Sequence, residues 1–222
     1  MRPILQITNQ NKTNQHLANI ISERMKLTTK EIQPSDLDNI NTIIEQQDAA
    51  LLIIGLDNNN QIQYYLNKCR NIRIPYIFVK NQLPTNYNIN NITLPITNLE
   101  EEREKGPYTS SFARHFNSPI TIYQPNDYGT KAITNIQAVT TLFDSLNLQH
   151  TTTKGKKNST KIQLEAATHT QNQQNTLLII TASRDYGLDD IIFGPQERKI
   201  IKNTNQPTML INPRGDLYTL CD

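Results

Sequence analysis

The apolar run Leu177-Leu178-Ile179-Ile180 repeats a run from the first half of the chain, Leu51-Leu52-Ile53-Ile54, at a spacing of 126 residues (177 − 51 = 126). Two further segments recur in the same order: residues 5–9 as residues 94–98, and the proline-led apolar run 75–79 as 207–211. A single short match arises by chance, but three matches in one order indicate an internal duplication. The sequence therefore predicts two copies of one structural unit.

The spacings also show how the two copies differ. The first pair of segments is 89 residues apart (94 − 5 = 89), so the first copy is shorter by 37 residues (126 − 89 = 37) before its second matched segment. A strand with its crossover helix takes about 30 or more residues. The first copy is therefore predicted to lack one βα unit.

Short segments rich in Ile, Leu and Thr alternate with longer polar segments in the second copy, a pattern typical of parallel strands joined by helices. The expected strands are 91–97, 118–124, 149–153, 176–182 and 207–212, with helices at 99–116, 129–147, 159–173 and 188–204. The first copy has expected strands at 3–8, 28–32, 50–55 and 75–80, and the polar stretch 81–90 is a linker. We therefore predict two α/β domains of the doubly wound, Rossmann-like type with parallel sheets, at 1–85 and 90–222.

Overall composition argues against several classes of protein. Lys and Arg number 22 against 20 Asp and Glu, a net charge of +2, which is unlike a nucleic-acid-binding protein. Two cysteines and four scattered histidines provide neither a disulfide framework nor a metal motif. The amino terminus becomes polar too early for a signal peptide, and the apolar runs are far shorter than the roughly 20 residues of a membrane span. We expect a cytoplasmic protein with no metal, no nucleic-acid partner and no membrane partner.

Open α/β sheets bind ligands beyond the carboxyl ends of their strands, where the strand order reverses. In the second copy, two segments are expected there: Thr97-Asn98 after the first strand, and residues 181–194 after the fourth. Arg184 and Asp185 form either an anion clamp or an ion pair that braces the loop. Gly194, followed by proline, is interpreted as a helix start or a ligand contact. The candidate ligand or anion site comprises Thr97, Ser183, Arg184, Asp185, Gly187 and Gly194.

Two charged segments near this site are interpreted structurally. Asn98 followed by Glu101 predicts a helix N-cap, and the acidic run 100–102 is favourable charge at a helix amino terminus rather than a metal site. The run Lys154-Gly155-Lys156-Lys157 is interpreted as a solvated turn rather than a phosphate contact.

The loop 181–198, with the strand before it and the strand 207–212 after it, resembles the universal stress protein family. The resemblance covers residues 91–213 and, in shortened form, the first copy; tandem two-domain members occur in that family. Its ATP-binding members carry an aspartate at the end of the first strand. After the fourth strand they carry Gly, two residues, Gly, nine residues, Gly and then Ser or Thr. This chain has Thr97 at the aspartate position, Thr181, Arg184 and Gly194 at the glycine positions, and Pro195 at the hydroxyl position.

These departures weaken the nucleotide site that the resemblance implies. Glycines allow backbone amides to approach phosphate oxygens. Arg184 places a long side chain there instead, and Pro195 supplies neither a hydroxyl nor an amide donor. We expect a non-enzymatic stress-response or regulatory protein without a cofactor and without the usual ATP site. One alternative is a nucleotide-binding member with an altered phosphate loop, and a second is a hydrolase or phosphatase on the same fold.

The resemblance also implies how the two copies assemble. The last strands, 75–80 and 207–212, are expected to meet edge to edge in an internal pseudo-dimer, which would hide both edges. A homodimer of the whole chain is a further assembly that the family resemblance allows. Residues 212–222 contain Leu217, Tyr218 and Leu220 and are expected to dock on the rest of the protein.

Overall fold

The computed structural model describes residues 1–10, 12–80, 83–171, 173–183 and 195–214. The strands within these ranges are β1 (Pro3–Ile7), β2 (Thr28–Glu31), β3 (Leu51–Gly55), β4 (Tyr76–Val79), β5 (Asn91–Pro95), β6 (Ile120–Gln124), β7 (His150–Lys154), β8 (Thr176–Thr181) and β9 (Thr208–Ile211). The helices are α1 (Gln15–Met25), α2 (Ile40–Gln47), α3 (Gln61–Cys69), α4 (Lys105–Phe116), α5 (Lys131–Ser145), α6 (Ser159–Thr170) and α7 (Gln196–Asn203). Short 3₁₀ helices lie at Pro34–Asn39 and Glu100–Glu104. Each strand expected from the sequence is present.

All of these strands belong to one sheet in the order β2-β1-β3-β4-β9-β8-β5-β6-β7. Neighbouring strands are parallel except at the centre, where β4 pairs with β9 in the antiparallel sense and Ile77 lies opposite Met209. The expected pairing of the two last strands is therefore confirmed, and the α/β fold class with it. The division into domains at 1–85 and 90–222 remains a prediction.

The two halves of the sheet repeat one topology with one difference. The order β2-β1-β3-β4 corresponds to β6-β5-β8-β9, and β7 at the far edge has no counterpart among the described strands of the first half. This is the strand that the spacing of the repeats predicts to be missing.

Helices cover both faces of the sheet. One hydrophobic cluster contains Leu17 of α1 together with Phe112 of α4, and the cluster on the opposite face contains Leu66 of α3 together with Ile200 of α7. Because both clusters combine residues of both copies, the two halves share their cores. The central strands β3 and β8 are buried along their whole length, as expected for strands covered on two faces. A fully buried Leu or Ile side chain stabilises such a core by about 1.5–3 kcal/mol.

The start of the segment after β5 differs from the sequence prediction. Leu99, rather than Asn98, is the N-cap residue of the 3₁₀ helix Glu100–Glu104, and it makes no side-chain cap hydrogen bond. Glu102 points inward and is completely buried. The predicted N-cap was therefore wrong by one residue, and Glu102 of the acidic run is paired with the buried Lys105 instead of lying at an exposed helix end.

The helix expected at 188–204 is described only from Gln196 onward, as α7. None of the helices in the described ranges is long and apolar enough to cross a membrane.

Candidate functional site

The candidate site lies at the carboxyl ends of β5 and β8, the neighbouring strands between which the order of the second copy reverses. A pocket of about 270 Å³ opens there. Thr97 and Ser183, two residues predicted from the sequence, both line it, together with Ser159 and Gln163 of α6. The structure therefore brings these two predicted residues together. The other four, Arg184, Asp185, Gly187 and Gly194, lie outside the described residues.

A buried ion pair lies beside the pocket, at the carboxyl ends of β5 and β8. The Glu102 and Lys105 side chains have no solvent exposure, and Lys105 Nζ lies 2.5 Å from Glu102 Oε2. The backbone amide of Thr97 donates to the same oxygen at 3.0 Å, and the Thr181 hydroxyl donates to Oε1 at 2.7 Å. Glu102 therefore ties the end of β5 to the end of β8.

Lys105 also contacts the end of β5 directly. Its ammonium group also donates to the carbonyl oxygen of Pro95, the last residue of β5. Burial lowers the pKa of Lys105, while the attraction of the Glu102 carboxylate opposes that shift. A lysine without solvent contact is tolerated only where such partners replace its lost hydration.

A second buried carboxylate bonds the pocket residue Ser183. Glu197, in the first turn of α7, is 3% exposed and accepts hydrogen bonds from the Ser183 amide at 3.2 Å and the Ser183 hydroxyl at 2.8 Å. The Thr181 amide donates to Gln163 Oε1 at 2.9 Å. Three backbone amides at the pocket, those of Thr97, Thr181 and Ser183, are therefore bonded to side-chain oxygens of the protein itself.

Helix α5 is hydrogen-bonded to the loop after β5 through Asn135. Asn135 is buried, and its amide group donates to the carbonyl oxygens of Thr97 at 3.1 Å and Leu99 at 2.6 Å. Arg103 in turn donates to Asn135 Oδ1 at 3.1 Å. These bonds fix the backbone of one pocket wall.

Sequence reasoning missed Glu102, Gln163, Glu197 and Asn135. Glu102 stands three residues before Lys105, a spacing that places both on one helical face, but the same spacing is common on solvated helices. Glu197 directly follows the start of α7, where an acidic residue is favourable without any further role. Burial distinguishes Glu102, Asn135 and Glu197 from exposed residues of the same types, and burial depends on how the helices pack.

The sequence Asp-Tyr-Gly occurs at 185–187 and also at 127–129. Residues 127–129 lie in a surface depression next to the pocket, which Asn98 also lines. Asp127 accepts a hydrogen bond from the Ser159 amide at 3.0 Å and so caps the amino terminus of α6. The Tyr128 side chain is fully exposed. This triplet is a turn that enters a helix.

The lysine-rich turn after β7 also contains amides bonded by a carboxylate. Glu165 accepts hydrogen bonds from the Lys156 amide at 2.9 Å and the Lys157 amide at 2.8 Å. Burial would raise the pKa of Glu165, but these hydrogen bonds and the neighbouring His169 hold that pKa below its usual value. The three lysines of this turn are exposed, in line with the interpretation as a solvated turn.

In the first copy, asparagine side chains fill the equivalent position between β1 and β3. Asn9 donates to the Leu56 carbonyl oxygen at 2.9 Å and accepts from the Thr13 amide at 2.8 Å, while Asn14 donates to the Ile7 carbonyl oxygen at 3.0 Å. Gly55 is required here, because a Cβ atom would lie 2.6 Å from Asn14 Oδ1. Buried asparagine side chains of the first copy thus lie where the second copy has its pocket.

Metal binding has no support in the part of the chain that the structure describes, since no group of three or more His, Cys, Asp or Glu side chains there could hold an ion.

Comparison with known proteins gives matches in structure but not in sequence. No family model and no curated protein matches this sequence. A universal stress protein from Archaeoglobus fulgidus DSM 4304 matches 97% of this chain and 88% of its own, with a TM-score of 0.65 at 10% identity. A putative universal stress protein from Pseudomonas aeruginosa UCBPP-PA14 matches 95% of this chain and 82% of its own, with a TM-score of 0.58 at 12% identity. A functionally unknown protein from Pseudomonas aeruginosa PAO1 gives the same coverage, with a TM-score of 0.55 at 13% identity.

At these identities the similarity concerns the fold. It extends over nearly the whole chain, both copies included, and it agrees with the resemblance that the loop after β8 carries in the sequence. The chain therefore has the fold of the universal stress proteins.

Proposed function

We propose that the chain is a universal-stress-type protein that acts without catalysis, in a stress response or in regulation, and that does not bind ATP at the position used by ATP-binding members. One observation carries the proposal: the amides of Thr97, Thr181 and Ser183, at the ends of β5 and β8, already donate to Glu102, Gln163 and Glu197. The protein's own side chains thus already accept from these three amides, which are then not free to bind a phosphate group.

The energetic argument follows from those bonds. A hydrogen bond to a charged group contributes about 1.5–3 kcal/mol, so a phosphate that displaced both glutamates would forfeit such bonds before gaining its own. The displaced carboxylates would also remain nearby, and two like charges about 4 Å apart repel by about 4 kcal/mol at an effective dielectric constant near 20. Each 1.4 kcal/mol is a factor of about ten in affinity, so binding should fall outside useful nucleotide concentrations.

The lining of the pocket supports the same proposal. Its volume of about 270 Å³ is near the lower end of the roughly 300–1,000 Å³ that is usual for ligand pockets. The described lining is mostly hydroxyl and amide side chains, such as Thr97, Ser159 and Gln163. It suits a small uncharged polar molecule better than a triphosphate.

Calorimetric titration of the full-length protein with millimolar ATP tests the proposal. We expect no saturable heat, and no nucleotide released when the purified protein is denatured. The alternative is a nucleotide-binding protein in which the Arg184 side chain holds the phosphates. That alternative predicts saturable heat that Arg184→Ala abolishes. Arg198→Ala, which removes an exposed arginine of α7, is the matched control and should leave any binding intact.

A hydrolase or phosphatase is the second alternative. It would need a nucleophile activated by a neighbouring base. The Ser183 hydroxyl donates to the Glu197 carboxylate, and no histidine is among the described residues that line the pocket. A carboxylate is a much weaker base than the histidine that usually activates serine, so this alternative has the least support.

We also propose that the two copies, 1–85 and 90–222, form an intramolecular pseudo-dimer in the cytoplasm. The antiparallel pairing of β4 with β9 and the two shared hydrophobic clusters support this arrangement. A sheet edge that is paired inside one chain is unavailable to other chains.

A further inference from the structure

Strand β7 forms one outer edge of the sheet and is uncovered on both faces. Among the described strands it pairs only with β6. Its first residue, His150, is partly buried and residues 151–154 are exposed, whereas the central strands β3 and β8 are buried throughout. An outer strand of this kind presents a row of unpaired N–H and C=O groups to which another strand can bind.

The hydrogen bonds on either side of β7 show which of its backbone groups face outward. The Ile120 amide donates to the Gln149 carbonyl oxygen at 2.9 Å, and the Gly155 amide donates to the Gln124 carbonyl oxygen at 2.7 Å. Backbone groups point alternately to the two sides of a strand, so the odd-numbered residues from 149 to 155 bond β6. The backbone groups that point away from β6 therefore belong to His150, Thr152 and Lys154.

These outward-facing residues are arranged symmetrically about Thr152, the middle residue of the strand. An antiparallel β7 from another molecule, centred on the same residue, would place Thr152 opposite Thr152 and His150 opposite Lys154. Each facing pair then exchanges two backbone hydrogen bonds. Thr151 and Thr153 fall opposite each other in the same register, and cross-strand threonine pairs stabilise a sheet. One register thus pairs all five residues of β7.

Charges at the two ends of β7 are complementary in this register. His150 Nε2 lies 2.9 Å from Asp144 Oδ1, and Asp144 is largely exposed near the end of α5. Lys154, at the other end of the strand, is also exposed. Directly opposite residues of an antiparallel pair share a face, so Lys154 of the other molecule comes beside His150 and within reach of Asp144. The two-fold symmetry makes this contact twice.

The opposite edge of the sheet lacks this complementarity. Strand β2 is exposed along its length, and the amides of Thr28 and Ile32 donate to carbonyl oxygens on the β1 side. Its outward-facing backbone groups therefore belong to Thr29 and Glu31. The register that pairs Thr29 of one molecule with Glu31 of another is centred on Lys30, and it places two lysines opposite each other, which is destabilising. The observations therefore favour β7 as the edge that binds another molecule.

We propose that two molecules of this chain associate edge to edge through β7, antiparallel and centred on Thr152, to form a two-fold symmetric dimer with one continuous sheet. The contact uses the same surface on both molecules and therefore closes, whereas β7 paired with β2 would continue into a fibre. Five paired residues bury less than the roughly 1,200–2,000 Å² of a stable interface. The dimer should therefore dissociate on dilution, with a dissociation constant of about 10 μM to 1 mM.

Analytical ultracentrifugation of the full-length protein at increasing concentration tests the proposal. The mass should rise from that of one chain towards that of two chains and stop there. Thr152→Pro removes the central outward-facing amide, so it should hold the mass at one chain. It should also leave the circular dichroism spectrum unchanged, because proline is tolerated on an edge strand where its nitrogen faces solvent. Thr29→Pro makes the same change on β2 and is the matched control, which should dimerise like the unchanged protein.

Three outcomes of this experiment would overturn the proposal. The first is a protein that stays at the mass of one chain up to about 1 mM. The second is growth beyond two chains, which would indicate pairing of β7 with β2. The third is a Thr152→Pro variant that dimerises as well as the unchanged protein does.

Disulfide trapping identifies the register directly. In a Cys221→Ser background, which leaves only the buried Cys69, Thr152→Cys places two thiols opposite each other across the two-fold axis. The Cα atoms of such a pair are about 5.5 Å apart, within the range of about 4.4–6.8 Å that a disulfide requires. Thr153→Cys is the control, because its two Cα atoms would lie about 8 Å apart. Mild oxidation should link only the Thr152→Cys variant, and equal linking of both variants, or linking of neither, contradicts the proposal.

Discussion

The ion pair between Glu102 and Lys105 makes the most demanding prediction about this protein. Glu102→Gln keeps the size of the side chain but leaves the ammonium group of Lys105 buried without a countercharge. Removing one partner of a buried pair costs about 3–5 kcal/mol of unfolding free energy. An upper limit follows from the alternative open to the lysine, which is to lose its proton: at pH 7 this costs about 5 kcal/mol for a group that ordinarily titrates near pH 10.4.

Chemical denaturation monitored by circular dichroism measures this loss of unfolding free energy, and thermal denaturation measures the accompanying fall in melting temperature. For a chain of 222 residues, 1 kcal/mol corresponds to about 2–4 °C, so the melting temperature should fall by roughly 6–20 °C. Glu100→Gln, an exposed glutamate of the same acidic run, is the control and should change stability by less than about 0.5 kcal/mol. The double variant Glu102→Gln/Lys105→Met should lose less than the sum of the two single losses, because it leaves no unpaired charge.

The loss of unfolding free energy in Glu102→Gln should depend on pH. In Glu102→Gln, burial without the carboxylate makes the pKa of Lys105 lower in the folded state than in the unfolded state. Unfolding therefore takes up protons, and stability rises with pH. The deficit should therefore shrink by up to about 1.4 kcal/mol per pH unit as the pH rises from 7 towards 9. A cost below about 1 kcal/mol, a deficit independent of pH, or an additive double variant would refute the assignment of Glu102 as the essential partner of Lys105.

Three further predictions follow from the fold. Gly55→Ala should lower the unfolding free energy by about 1–3 kcal/mol in denaturation experiments, because the new methyl group meets the buried Asn14 side chain. A cost near zero would show that Asn14 can move aside. The pKa of Glu165 is held below its usual value, so its contribution to stability is present at neutral pH and is lost as the pH falls through the folded-state pKa. Glu165→Gln should accordingly flatten the acid limb of a stability-against-pH curve, and an unchanged limb would contradict this. Residues 1–85 expressed alone should aggregate or remain unfolded, because β4 loses its β9 partner; a soluble fragment that melts cooperatively would disprove the pseudo-dimer.

Much of the architecture followed from the order of residues in the chain. Apolar runs such as Leu177–Ile180 predicted buried strands, because a strand covered on both faces cannot alternate apolar with polar residues. The repeat spacings predicted that one βα unit is missing from the first copy, and the sheet has four strands on one side of the β4–β9 junction and five on the other. These features depend on local composition and on distances along the chain, which the sequence contains in full.

The sequence predicted where the candidate site lies but not the hydrogen bonds within it. A site was expected at the carboxyl ends of β5 and β8, and Thr97 and Ser183 do line one pocket there. Arg184, Asp185, Gly187 and Gly194 lie outside the described residues, so their roles remain predictions. The sequence could not predict which side chains accept hydrogen bonds from the backbone amides of the pocket. Two of these acceptors, Glu102 and Glu197, come from segments 95 residues apart (197 − 102 = 95).

What the sequence by itself determined was the set of strands, the helices between those of the second copy, and the loss of the glycines and the acidic residue that a nucleotide loop needs. The pairing of β4 with β9 was expected from the family resemblance, but only the tertiary structure decided that it is antiparallel. It also decided that Glu102 points inward while Glu100 stays exposed. The physical reason is that a charged side chain on a short helix gains little from either orientation until a buried partner such as Lys105 is in place. The position of that partner is a property of packing between helices and strands, and no local pattern of residues encodes it.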